Sequence, residues 1–175
     1  MGGPLLALPV SALASWGGCT TAGMVTGTEA PDDYGRACAV EGLAGAIPVG
    51  GHRAQALVLA DESATSCYLP ERRAFLRWLS ADSEAELAAA AGRVLADPAT
   101  AWQDCGTWTT DGPAVLMDAT TAGTELNIAY PGGRLPEQAP VPLAASTWRV
   151  RAVHAEIDAY TWVGLVHLLP TSPTA

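Results

Sequence analysis

Apolar residues along this chain fall into short runs and alternations of the kind strands make, broken by one long stretch at helical spacing. That stretch is SEAELAAAAGRVLADP, residues 83–98. Leu87, Ala90, Ala91, Val94 and Leu95 share one face, Ser83 with Glu86 three residues on makes a capping box, and Pro98 stops the helix. A second, shorter helix is expected in DDYGRACAV, where Asp32 and Asp33 suit the positive end of a helix dipole. At the start of the chain, PLLALP reads as a buried strand. A brief helix follows from Pro9 or Ser11 through Trp16 and ends at Gly17.

The other elements read as strands. GLAGAIPVGGHRAQALVLAD gives two of them around Gly50-Gly51, and Pro48 places the first at a sheet edge or at its own end. SCYLP is a short strand, and RAFLRWLSAD alternates Phe75, Arg77 and Leu79 against Ala74, Leu76 and Trp78, a strand buried on one face and partly on the other. Strand-forming residues flank Asp111-Gly112, and ELNIAYPGG reads as a strand with a turn. RLPEQAPVPLAAS holds too much proline for a helix and is expected to cross the surface as extended chain. TWRVRAVHAEIDAYTWVGLVHLLP makes a terminal hairpin turning near Asp158. The residues from Thr20 to Pro31 read as a loop and TSPTA as a fraying tail. The expected fold is α+β: a mixed helix and strand N-terminal half and a mostly antiparallel β C-terminal half, in a single compact unit spanning 1–175 with sub-lobes at 1–98 and 99–170 as an option.

Composition sharpens this. Apolar residues make up 49% of the 175 and charged residues only 15%, which predicts a large core under a sparsely charged surface. Net charge is −9, and all nine basic residues are arginine. Such a field repels phosphate backbones and anionic lipid, so nucleic acid and membrane are disfavoured as partners and a basic protein is favoured. Cys19, Cys38, Cys67 and Cys105 include no CxxC pair, which argues against zinc ribbons and redox motifs, and with a sizeable core the expected state is four reduced, buried thiols. The opening MGGPLLALPVSALASWGGC lacks the basic start of an export signal, and Pro9 and Gly17-Gly18 cut it short of the roughly 20 apolar residues that span a membrane. It reads as core, and the expected compartment is the cytoplasm.

No catalytic pattern emerges: GxSxG, HExxH, GxGxxG and Walker spacings are all missing. His52 belongs to a glycine turn. In the terminal hairpin, a loop of two or four residues sets His154 opposite Val163 and His167 opposite Val150, over 10 Å apart at strand rise, and an odd-length loop puts the two rings on opposite faces. Neither register lets them share a metal, and no metal or cofactor is expected. Asp32-Asp33 and Asp61-Glu62 are paired acids, commonly capping or solvated, and better suited to meeting a basic partner than to glycosidase chemistry. Six tryptophans accompany one phenylalanine. Trp78, Trp148 and Trp162 sit in apolar strands as core. Trp102 and Trp108 flank QDCGT outside a clear period, and although packing is the commoner role, both are candidate interface anchors.

Six blocks, MGGPLLALPVSALASWGG, DDYGRACAV, LVLADESATSCYLPE, FLRWLSADSEAEL, DGPAVLMDATTAG and TWVGLVHLLP, taken in order from Met1 to about Pro170, resemble the bacterial polymorphic-toxin immunity proteins of immunity family twenty-one. The resemblance implies a small cytoplasmic, non-enzymatic protein that neutralises a cognate toxin domain by direct contact, with no catalytic residues to carry over. The residues it leaves as candidate toxin contacts are Asp32, Asp33, Asp61, Glu62, Trp102 and Trp108. Two rivals stand beside it: a small hydrolase or ligand-binding protein with a pocket between the halves, and a structural subunit held by an apolar face.

Overall fold

A computed structural model describes residues 3–20, 31–50, 54–61 and 63–171. Among these residues ten strands form two five-stranded antiparallel sheets. The first runs β2 (Gly45–Val49), β3 (Ala54–Leu59), β1 (Leu5–Pro9), β7 (Ala114–Asp118) and β8 (Gln138–Val141). In the second the order is β4 (Ser66–Leu69), β5 (Ala74–Ser80), β10 (Trp162–Pro170), β9 (Ser146–Glu156) and β6 (Gln103–Thr110). The sheets stack face to face, with β2 and β3 against β6 along one side and β4 against β8 along the other. Between them Ala7, Leu57, Leu59 and Leu116 meet Phe75, Trp108, Trp148, Val150 and Val166 in one apolar core. This is more β-rich than the α+β reading. The N-terminal half carries five of the ten strands, and each sheet draws strands from both halves.

Both outer faces are capped. On the first sheet Leu6, Leu8, Val58 and Met117 point outward and are covered by the 3-10 helix Val10–Ser15 with Trp16, and by α1 (Asp33–Cys38). Trp16 is buried because its Nε1 finds the Ala119 carbonyl at 3.1 Å. On the second sheet Ala74, Leu76, Val153, Val163 and Leu165 lie under α2 (Glu84–Ala96), which buries Leu87, Ala90, Ala91 and Val94. The small alanines let the helix sit close, while Leu87 and Val94 each remove apolar surface worth about 1.5–3 kcal/mol. Ser83 caps α2 as expected, accepting from Glu86 N–H, whereas the Glu86 carboxylate reaches one residue further back, to Asp82 N–H at 3.2 Å.

Several expectations hold in detail. β1, the helix behind it, α1, α2 and the β2–β3 pair stand where the pattern placed them, and Pro48 lies in β2 at a sheet edge, where its missing N–H costs no ladder bond. Others need correction. ELNIAYPGG, residues 125–133, forms turns but no strand, and the short 3-10 turn that leads into it, Gly123–Glu125, folds back on the first helix so closely that a Cβ on Gly123 would stand 2.1 Å from the Leu13 carbonyl oxygen. The edge beside β7 is taken by β8, supplied by the proline-rich segment. That segment is extended but paired, with Pro140 opposite Val115 at the rim. Trp162 is 45% exposed, because it precedes a bulge where β10 enters the sheet. The cysteines form no disulfide, yet Cys38 and Cys67 are exposed and Cys19 and Cys105 half-buried, not sunk in the core. The 20–31 loop and the Gly50-Gly51 turn with His52 fall largely outside the described residues.

Candidate partner-binding surfaces

The acids at α1 are committed to holding the chain together. Asp32 Oδ1 accepts from Gly35 N–H at 2.7 Å and its Oδ2 from Thr20 N–H at 2.8 Å, and these bonds, Thr20 foremost, hold its carboxyl below the usual carboxylate range. Asp33 accepts from Gly17 N–H at 2.7 Å and pairs with Arg36, whose other nitrogen donates to the Pro48 carbonyl. Both carboxylates thereby tie α1 to the segment after the first helix and to β2.

Asp61, two residues past the end of β3, is in a left-handed conformation (φ 68°) with its carboxylate side chain 45% exposed and 3.5 Å from His154 Nδ1. Its neighbour Ala60 offers its carbonyl to the buried Arg77 guanidinium at 2.6 Å. Arg77 and His154 flank Gly164 in the ladder, and a Cβ there would press on both, at 3.0 and 3.3 Å. Across a cleft of about 210 Å³ from Asp61 and Ser63 stand Tyr34 and Cys38 of α1. Glu62 lies outside the described residues. A larger trough, about 430 Å³, runs between the β4 and β8 rims and is lined by Leu5, Thr65, Ser66, Leu116 and Gln138 among others.

The terminal hairpin turns through residues 157–161, an odd-length loop, so His154 faces Gly164 and His167 faces Arg151. The two rings fall on opposite faces: His154 toward the first sheet, His167 outward. Among the described residues no three His, Cys, Asp or Glu side chains gather to hold a metal, and no helix is long and apolar enough to cross a membrane.

The two candidate tryptophans part company. Trp108 is wholly buried between the sheets, opposite Trp148, its Nε1 donating to the Gln55 carbonyl at 2.9 Å, so it packs the core and offers no ring to a partner. Trp102 is half-buried on the outer face of the second sheet, beside α2. The Arg151 guanidinium lies 4.2 Å from its ring centroid, and the His167 ring stands 5.7 Å away.

A family model described as immunity protein 21 matches residues 1–161. The chain belongs to the immunity protein 21 family. No curated protein and no solved structure matches it. In this immunity protein 21 member the match runs from β1 through β9 and the hairpin loop.

The nominated contact residues do not converge: α1 covers the first sheet, Asp61 borders the cleft beside it, and Trp102 lies on the far outer face. Around Trp102 the chain carries a group that sequence reasoning missed. Arg151 Nε and Nη2 reach His167 Nδ1 at 3.3 and 3.1 Å, and since a guanidinium only donates, Nδ1 accepts and the neutral ring holds its proton on Nε2. Burial, then the charges of Arg151 and Arg73, push the His167 pKa down to about 4. The available signal was the outward pair Arg149 and Arg151 on one strand, which needed the odd register to bring His167 opposite Arg151.

Proposed function

We propose that this immunity protein 21 member binds a cognate toxin domain directly and blocks it, without catalysis and in the cytoplasm. The observation that carries the reading is the family match over 1–161. Two sheets, each capped on its outer face, make a stiff body that can present a fixed surface, and a preformed surface loses little freedom on binding. Asp61 and Trp102 keep side-chain surface for a partner, whereas Asp32 and Asp33 act through their contribution to the acidic field.

The test is co-expression with the toxin domain encoded beside this gene. Cells should survive only with both proteins present, and the two should elute as one complex. Survival without any complex would sink direct blockade. Asp61 beside His154 is the pair on which a hydrolytic alternative would rest. Small-molecule turnover by the purified protein, lost in His154→Ala, would put that alternative in place of ours.

A further inference from the structure

Arg151 is held in a way that suits it to receive a charge from outside. Its side chain lies over the Trp102 indole, and its nitrogens reach a histidine that stays neutral above about pH 4. Among the described residues it makes no ion pair, although the chain has 18 acidic residues for 9 basic ones. Its neighbour Arg149 is exposed and engaged by Asp104 at 2.6 Å, and the exposed Arg72 and Arg73 lie beside His167, the first bonding the ring through its backbone and the second contributing its charge. Arg151 alone of these stands over the half-buried Trp102 indole on the outer face of the second sheet, while the Arg73 guanidinium lies 6.0 Å from the ring of the buried Trp148.

We propose that this platform is a docking point for a carboxylate-bearing segment of the toxin, with Arg151 as its anchor. The inference rests on the immunity reading and names a surface and a partner chemistry for it. Stacking and the histidine bond fix the plane of the guanidinium, so the rotamer freedom usually lost on pairing is already gone, and the free edge of the fork matches a carboxylate in two-point geometry. A phosphate would fit that fork equally well, but the −9 field opposes a polyanion chain and opposes a few carboxylates on a globular partner far less. Trp and Arg are also among the residue types most enriched at interface hot spots.

The experiment measures affinity of the purified protein for the toxin domain encoded beside the gene. Arg151→Ala should weaken binding about 30-fold or more, and Arg151→Lys about 10-fold, because lysine keeps the charge and loses the stack and fork. Arg134→Ala removes the same charge from an exposed loop and should change affinity less than about 2-fold. Thermal melts check that each variant is folded, and Arg151→Lys carries the test should Arg151→Ala not fold. Both Arg151 variants within 2-fold of native, or a loss matched by Arg134→Ala, would overturn the proposal. So would native protein that binds a short single-stranded RNA through Arg151. Failure of native protein to bind the toxin domain is a different result, and it would remove the immunity reading itself.

Discussion

At the scale of single residues, titration separates two kinds of support. His167 is neutral in the folded protein down to about pH 4, against an ordinary value of 6.5, so the unfolded chain takes up its proton first as pH falls. Its share of stability is complete above pH 6.5, drains away between 6.5 and 4, and is constant below that. We expect native protein to lose stability across this window in denaturant titrations, and His167→Gln, which can still accept from Arg151, to lose that slope. A variant with the same slope would show that the ring is not held neutral by burial and by Arg151 and Arg73. Asp32 works in the opposite corner of the pH scale: its carboxyl lies below the ordinary 3.8, so its contribution stands above that value and is lost as pH falls further. At neutral pH, Asp32→Ala takes the cap from α1 and should cost about 1 kcal/mol in chemical denaturation, while Asp32→Asn should recover most of it.

At the scale of elements, two glycines with open space around them make a controlled pair. Beyond their own local backbone and chain neighbours, neither Gly92, inside α2, nor Gly106, in β6, has a heavy atom within 4 Å of where a Cβ would stand, yet only Gly106 has a left-handed φ of 76°. Gly92→Ala should therefore raise stability by about 0.5–1 kcal/mol through helix propensity, and Gly106→Ala should lower it by about 1–2 kcal/mol through backbone strain. Midpoints of urea unfolding moving in the same direction for both would break this account. Gly106 also explains why the tryptophans were hard to place from sequence. Asp104 pairs with Arg151 and Thr107 with Arg149, so Cys105 and Gly106 together oppose Val150 in a bulge pinned by Asp104, which accepts from Gly106 N–H at 2.9 Å. Trp102 and Trp108, an even number of residues apart, would share a face on a regular strand, but the extra residue sends Trp108 inward and leaves Trp102 outside. Capping boxes, edge prolines and helical stripes are local and were legible. A bulge, a hairpin register and the contest between two segments for one edge depend on partners far along the chain, and alternation alone did not reveal them.

At the scale of the whole molecule, long-range pairing decides how the protein holds together and its net charge decides how it meets a partner. Leu5 pairs with Asp118, and the central strands β1 and β10 are each hydrogen-bonded to strands from both halves of the sequence. Segments 1–98 and 99–175 expressed separately should show no cooperative melt, because the first leaves β1 and β5 with an open edge and the second leaves β7 and β10 with one. The −9 field acts at longer range than any single contact, and on the proposed function it draws a basic surface of the toxin in before contact is made. Raising the salt from about 10 mM to about 500 mM shortens the screening length from roughly 30 Å to a few ångströms, so the association rate should fall by about 10-fold or more with little change in dissociation. Arg151→Ala should show the converse, faster dissociation with association nearly unchanged, since a half-buried anchor forms after encounter. Stopped-flow measurements at both salt concentrations separate the two. An association rate indifferent to salt would leave the acidic surface without a role in capture, whatever Arg151 then proves to hold.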